Sequence, residues 1–263
     1  MSAVPECDDC YAGDDGQVSW RGKTLTDENE SKDFLRGPVR ERLLDEKGLA
    51  ELTAELRQLA TTGMASEALE QFLSIAWDGE PWQVGESLAE CLLESQLGVQ
   101  WPWNMERDKR TPKASLQGAD LVGFLIEDKQ VHLVLGEVKT SGDVASPPNV
   151  MTGRTGMITQ LEQLASDKKL RWTLIKWLQP RCRDSSSRRL FKKAMKRFLE
   201  SQGSAIILIG CLMRDTQPSE SDLRARGRAL ARTVITPMRA DLYAWYVPHA
   251  IDSWTTLLEA EPA

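Results

Sequence analysis

The strongest structural signal in the sequence is a β-hairpin near the middle of the chain. Residues 118–126 (Gly-Ala-Asp-Leu-Val-Gly-Phe-Leu-Ile) are mostly apolar, the polar triplet Glu127-Asp128-Lys129 follows, and residues 131–135 (Val-His-Leu-Val-Leu) are again largely apolar. Apolar runs of this length on either side of a short polar turn are typical of paired strands. We therefore predict two strands joined by a turn at residues 127–129.

Apolar patterns on both sides of this hairpin set the fold class. Residues 205–213 predict a buried strand and residues 242–247 a further strand, whereas leucines recur at helical spacing between residues 39 and 95. Further helices are expected from Gly156 and over residues 186–201. Helices combined with a few hydrophobic strands predict an α/β fold, a central mixed sheet flanked by helices.

The composition changes along the chain and suggests three segments. Residues 1–33 are polar and rich in Asp, Gly and Ser, which predicts a loosely ordered lead-in or a short hairpin. Residues 34–80 carry short helical patterns and are expected to form a helical N-terminal extension. Residues 81–263 hold the predicted strands and are expected to form the main domain.

The net charge of −6 and a pI near 5.2 argue, taken alone, against a simple basic nucleic-acid-binding module. The charge is divided unevenly, however, because residues 1–100 hold 21 acids and 8 bases, whereas residues 168–197 hold twelve bases and one acid. Residues 186–201 predict an amphipathic helix with one basic face. The basic side chains that we expect to contact a nucleic-acid backbone are Arg154, Lys168, Lys169, Arg188, Arg189, Lys192, Lys193, Lys196 and Arg197.

Other interpretations of this basic surface stay open. It could be an ordinary solvated helix face, or it could dock an acidic partner or the acidic half of the chain itself. No apolar run approaches the length of a membrane helix, no signal peptide is recognisable, and five scattered cysteines do not suit a disulfide framework. We therefore expect a soluble, cytoplasmic protein that does not bind membranes.

Three residues of the predicted hairpin carry a possible chemistry. Asp120 stands at the head of the first strand, and Glu137 and Lys139 lie two residues apart at the end of the second, so their side chains share a face. Two carboxylates and the carbonyl oxygen of Val138 could hold Mg²⁺ or Mn²⁺. Lys139 beside them could position a water molecule and stabilise transition-state charge.

The Glu-x-Lys pattern is not specific by itself. Glu30/Lys32 and Glu127/Lys129 also match it. Only Glu137/Lys139 ends an apolar strand and has an Asp at the head of a preceding strand, which favours a metal site over the alternative of a surface salt bridge.

The segments Gly118-Ala119-Asp120 and Gly136-Glu137-Val138-Lys139 resemble the core motif of the PD-(D/E)XK nuclease superfamily, which has the restriction-endonuclease-like fold. Ala119 stands where the motif has proline. The resemblance covers roughly residues 82–166 and implies two further site residues. These are Glu86 in the first core helix and Gln160 in the helix after the hairpin, although each could equally be an ordinary helix-surface residue.

Four segments together are also similar to the nuclease subunit of Hachiman-type bacterial antiphage defence systems: residues 118–124, 136–141, 150–157 and 160–164. This resemblance implies a helicase partner that restrains the nuclease. The chain has no P-loop motif, so we expect any ATP use to come from that helicase or ATPase partner.

Together these features predict a Mg²⁺-dependent nuclease that hydrolyses DNA phosphodiester bonds, with Asp120, Glu137, Lys139, Gln160 and Glu86 at its site. The alternative is a catalytically inactive, nuclease-like binding or scaffold subunit of a helicase complex. A third interpretation is a protein-interaction subunit in which residues 34–80 dock the helicase.

Overall fold

The computed structural model describes residues 4–75, 77–109 and 118–259, and its centre is one six-stranded sheet. The strands, in sheet order, are β1 (Cys7–Asp15), β2 (Val18–Leu25), β6 (Arg239–Tyr246), β5 (Ile206–Arg214), β4 (Gln130–Ser141) and β3 (Leu121–Glu127). The two outer pairs, β1/β2 and β3/β4, are antiparallel, and the inner pairings are parallel. The predicted hairpin and the mixed α/β sheet are therefore confirmed.

Helices cover both faces of the sheet. One face packs against α7 (Met157–Ser166), α8 (Lys168–Leu178), α9 (Ser185–Glu200) and α10 (Arg224–Leu230). The other face packs against α1 (Glu28–Phe34), a π-helical turn (Leu35–Val39), α2 (Arg40–Leu43), α5 (Pro81–Leu97) and α11 (Trp254–Glu259). The remaining helices are α3 (Glu46–Leu59), α4 (Gly63–Leu73) and α6 (Met105–Asp108).

The central position of β5 explains its composition. All nine of its residues are buried, because a parallel strand in the middle of a two-sided sheet has no solvent-facing side. The same cause makes Val134 of β4 as buried as its neighbours Leu133 and Leu135, where the sequence alternates only weakly.

The prediction of a loosely ordered lead-in is wrong for most of residues 1–33, and the alternative of a short hairpin is correct. Strands β1 and β2 pair with each other, and β2 continues the sheet through parallel pairing with β6. Val18, Trp20 and Leu25 of β2 are at most 2 % exposed. These apolar residues are too few to form a core of their own, so the hairpin is stabilised by pairing with the distant strand β6 and by packing against α10.

Residue 80 does not separate two hydrophobic cores. Phe34, Leu35 and Val39 lie in the same buried cluster as Val84 and Leu88 of α5. The part of residues 34–80 that stands apart is the pair α3 and α4, and no residue of α3 is buried. Within the described ranges, no helix is long and apolar enough to cross a membrane.

A fully buried ion pair, Arg214–Asp222, holds the segment that follows β4 against the end of β5. Arg214, at the end of β5, lies 3.4 Å from the Asp222 carboxylate and donates to the carbonyl oxygens of Ser141 and Ala145 at 3.1 and 3.0 Å. The hydroxyl of Tyr246 donates to Asp222 at 2.8 Å. These contacts therefore join the carboxyl ends of β4, β5 and β6.

We expect Asp222→Ala to lower the free energy of unfolding by about 3–5 kcal/mol, because it leaves the Arg214 guanidinium buried without its counter-charge. Glu200→Ala is the control, since Glu200 forms an exposed pair with Lys196 at 3.8 Å and should cost less than about 1 kcal/mol. Urea unfolding of the two variants measures both values. Equal losses of unfolding free energy in Asp222→Ala and Glu200→Ala would show that the buried ion pair contributes no more to the fold than an exposed one.

Candidate functional site

The register of the β3/β4 hairpin brings the predicted site residues together. Leu121 pairs with Gly136, and the Asp120 N–H donates to the Gly136 carbonyl oxygen at 3.0 Å, so Asp120 lies beside Glu137. The Asp120 carboxylate also accepts a hydrogen bond from the Val138 N–H at 3.0 Å. One strand end thus holds the Asp120 carboxylate directly against the segment that carries the second carboxylate.

Gly136 is required by the close approach of β4 to β5. A Cβ at this position would collide with the main-chain carbonyl of Ile209, which is backbone and has little room to move. The glycine before Glu137 therefore permits the strand contact that places the carboxylate, and Gly136→Ala would displace β4 at the site.

Glu137 and Asp120 form a carboxyl–carboxylate pair. The Glu137 side chain is 1 % exposed, and burial, a hydrogen bond with Asp120 and the Asp120 charge all raise its pKa well above its usual range. Lys139 Nζ donates to Glu137 Oε2 at 3.3 Å and opposes this rise. Burial beside the Asp120 carboxylate therefore makes the ionised form of Glu137 unfavourable unless a cation lies close to the two side chains.

Glu86 reaches the same site from α5. A capping box of Glu80 and Gln83 with Pro81 starts this helix, and Glu86 is half-buried one turn later. Burial, the Asp120 charge and the Glu90 charge raise the pKa of Glu86 well above its ordinary value, with Lys139 opposing.

The approach of α5 to β4 also depends on a small residue. Gly85 packs against the Thr140 hydroxyl, where a Cβ would clash. The helix can therefore lie close to the strand beside Lys139, which explains how Glu86 comes within range of Asp120.

Gln160 lies on the helix that covers the Glu137 face of the sheet. Glu137 pairs in parallel register with Gly210, so both residues face the same side. Beside Leu242 of β6, the side chains nearest to Gly210 are those of Met157 and Leu161 of α7. Gln160 of this helix is half-buried, and within the described residues its Oε1 is buried without a hydrogen-bond partner.

The donor set fits a hard divalent cation. Mg²⁺ commonly takes one or two carboxylates and completes its shell with water and phosphate oxygens, and Asp120 and Glu137 supply two adjacent carboxylates. Among the described residues, no group of three or more His, Cys, Asp or Glu side chains could hold a metal. Glu86 is therefore not assembled with the pair as a third ligand, and the Val138 carbonyl remains the predicted additional oxygen.

The predicted basic residues lie on the same side of the sheet as Glu137. Lys168 and Lys169 are exposed in the first turn of α8, whose Leu170 is the nearest side chain to Gly118, two residues before Asp120. Arg154 is exposed in the segment before α7.

The basic face of α9 is directed to solvent. The helix packs on β4 and β3 through Leu190, Ala194 and Phe198, so its opposite face is free. The predicted contact residues on that face are exposed, except for half-buried Arg197: Arg188, Arg189, Lys192, Lys193, Lys196 and Arg197. Asp184 caps the start of this helix, because its carboxylate accepts from the Ser186 and Ser187 N–H groups.

Two functional details were missed by sequence reasoning. Glu90, four residues after Glu86, is 5 % exposed and forms a buried ion pair with Arg42, which also donates to the Trp103 carbonyl at 3.2 Å. Its role is to join α2 to α5. The buried Arg214 was missed as well, and its one sequence signal is a lone charge at the end of the apolar run of β5.

Comparison with models of known protein families and with curated proteins gives no match. The assignment of function therefore depends on the geometry of Asp120, Glu137 and Lys139 and on the motif that carries them.

Proposed function

We propose that the protein is a Mg²⁺- or Mn²⁺-dependent nuclease of the restriction-endonuclease-like fold that hydrolyses DNA phosphodiester bonds. The observation that carries the proposal is the placement of Asp120 beside Glu137 at a strand end, with Lys139 donating to Glu137 at 3.3 Å. A buried carboxylate next to a second, half-buried one is costly unless a proton or a cation lies close to them, and the adjacent ammonium suits an anionic substrate.

Each residue has a distinct task in this proposal. Asp120 and Glu137 hold the cation, which, when bound, polarises the phosphodiester and offsets the negative charge that develops during hydrolysis. Lys139 donates from its ammonium to the attacking water or to a phosphate oxygen, so it positions the water and stabilises transition-state charge. Water adds to phosphorus, the bond to the leaving sugar oxygen breaks, and a phosphate monoester and a hydroxyl end result.

Glu86 and Gln160 have auxiliary roles in the proposed reaction. Glu86 is close enough to the site for its charge to interact with Asp120 and Lys139. Gln160 lies on the helix that covers the same face and has a buried oxygen without a partner in the described part of the chain. We assign both of them to orienting water or substrate rather than to holding the cation.

The test is cleavage of plasmid, linear duplex and single-stranded DNA with Mg²⁺ and with EDTA. We expect the loss of intact DNA to require the divalent cation and to stop in Glu137→Gln. Cleavage that persists in EDTA would contradict a metal-dependent site.

The basic surface should make DNA binding sensitive to salt. We expect the double variant Arg189→Glu/Lys193→Glu, measured without divalent cation, to weaken duplex binding at least about tenfold. The slope of the logarithm of the binding constant against the logarithm of the salt concentration should fall by the amount expected for the loss of about two phosphate contacts. Lys32→Glu/Lys47→Glu is the matched control, because it changes the net charge equally but lies outside the basic surface. Fluorescence anisotropy at several salt concentrations measures the effect, and equal losses in both doubles would refute a specific interface.

The resemblance to the Hachiman-type nuclease subunit extends the proposal to antiphage defence with a helicase partner in the cytoplasm. The alternative is a nuclease-like subunit that binds or scaffolds without cleaving. One observation favours this alternative, namely that no third carboxylate joins Asp120 and Glu137 among the described residues. Binding of a divalent cation distinguishes the two functions.

A further inference from the structure

The helical pair α3–α4 exposes an unusual number of apolar side chains. Leu49, Leu52, Leu56 and Leu59 follow one another at spacings of three, four and three residues along α3, and they are 47, 51, 37 and 74 % exposed. This spacing is that of the a and d positions of a coiled-coil seam. A helix that keeps such a row in solvent has an apolar stripe without a partner in the described fold.

The second helix extends the same surface. Met64 and Phe72 of α4 and the following Ile75 are 83, 71 and 71 % exposed. An ion pair of 3.3 Å between Arg57 and Glu70 joins the two helices. Half of the fourteen large apolar side chains that are exposed in the described residues therefore belong to residues 49–75.

The exposed apolar side chains are concentrated rather than scattered. Seven large apolar side chains within one helical pair form the kind of surface that marks a protein interaction site. An open depression of about 360 Å³ lies beside Leu49 on α3, with Glu46, Ala50 and Arg57 among its lining residues.

The charges around this surface indicate what kind of partner fits. Glu51, Glu55 and Glu67 are exposed and form no ion pair within the described residues, whereas Arg40 and Arg57 already pair with Glu46 and Glu70. Against these three carboxylates stands one exposed ammonium on the two helices, that of Lys47, which is in no ion pair among the described residues. The α3–α4 surface is therefore apolar with a negative rim. A second copy of the chain would bring carboxylates against carboxylates, which is unfavourable when they are desolvated.

We infer that α3 and α4 form a docking surface for another protein, and that the docked segment is an amphipathic helix with apolar residues at heptad spacing and lysines or arginines beside them. Helix-in-groove binding of this kind uses apolar anchors for affinity and flanking charges for specificity. The surface is separate from the Asp120–Glu137 site, so the inference does not depend on nuclease activity.

The probe is a synthetic, fluorescently labelled helical peptide with leucine at a and d and lysine at e and g, titrated with the full chain. We expect saturable binding that is weakened at least tenfold by Leu52→Gln/Leu56→Gln and by Glu51→Lys/Glu55→Lys. A peptide with glutamate in place of lysine should bind at least tenfold more weakly. Leu199→Gln is the matched control, since Leu199 is 66 % exposed on α9, and it should leave binding unchanged.

Point variants are used because deletion of residues 1–80 would remove β1, β2 and part of the core. Circular dichroism confirms that each variant is folded. The inference is overturned if the lysine peptide does not bind, if the glutamate peptide binds equally well, or if the leucine variants bind as the wild type does. It is also overturned if sedimentation shows a dimer that Leu52→Gln/Leu56→Gln dissociates, because a second copy would then cover the surface.

Discussion

Replacement of Lys139 by alanine should reduce the rate of DNA cleavage at least about a hundredfold while the fold stays intact. The ammonium is the cation in contact with the carboxylate pair, and loss of one group that stabilises transition-state charge commonly costs two to three orders of magnitude. Glu137→Gln should abolish cleavage, because it removes one of the two carboxylates that hold the divalent cation. Initial rates on a plasmid substrate with saturating Mg²⁺ give both values.

The chain supplies a matched control for these variants. Glu127 and Lys129 have the same Glu-x-Lys spacing but lie where β3 ends and turns into β4, and Glu127 pairs there with Arg239 instead of a second carboxylate. Glu127→Gln and Lys129→Ala should cleave at the wild-type rate. Full activity in Lys139→Ala, or an equal loss in Lys129→Ala, would remove the chemical role assigned to this site.

The second large effect concerns stability in the absence of metal. Glu137→Gln should raise the free energy of unfolding of the metal-free protein by about 1–3 kcal/mol at pH 8, because the wild type must take up a proton at Glu137 when it folds, whereas the amide needs none. A substitution that abolishes activity is thus expected to stabilise the fold. Urea unfolding in EDTA measures the difference, and a clear destabilisation would contradict the described carboxyl pair.

The pH dependence of this effect has a definite sign. The pKa of Glu137 is higher in the folded protein than in the unfolded chain, so the folded state binds the proton more tightly. Wild-type stability should therefore fall as the pH rises above the ordinary range of glutamate, and the fall should be smaller in Glu137→Gln.

Metal binding should offset the loss of stability that the Glu137 carboxyl causes in the metal-free protein. Mg²⁺ or Mn²⁺ should raise the melting temperature of the wild type at pH 8 and leave that of Glu137→Gln nearly unchanged, since a ligand that binds only the folded state stabilises it. Equal increases of the melting temperature in the wild type and in Glu137→Gln would show that the cation binds at a site without Glu137.

The hairpin and its site could be predicted because the signals are local in sequence. Asp120 and Glu137 are joined by a short turn, and the apolar runs on either side fix the register that brings them together. The helix of Gln160 follows directly, so its period and its start at Gly156 were readable as well. The register places Asp120 beside Glu137, and Gln160 lies on the helix that covers that face of the sheet.

The remaining features depend on distant partners. The strands at residues 7–25 look polar in sequence because β1 lies at the sheet edge, and they are stabilised by pairing with β6 and by packing against α10, both distant in sequence. Arg42 and Glu90 are separated by 48 residues, and Arg214 meets Asp222 through a turn that no periodic pattern indicates. Such polar pairs are decided by three-dimensional packing, which a single sequence does not encode as a local pattern.

Titration calorimetry with Mn²⁺ on the protein without DNA shows whether Asp120 and Glu137 form a cation site. We expect the wild type to bind the cation and both Asp120→Asn and Glu137→Gln to lose this binding, with Glu127→Gln unaffected. Absence of binding by the wild type, or binding that survives both substitutions, would contradict the site and favour the non-cleaving alternative.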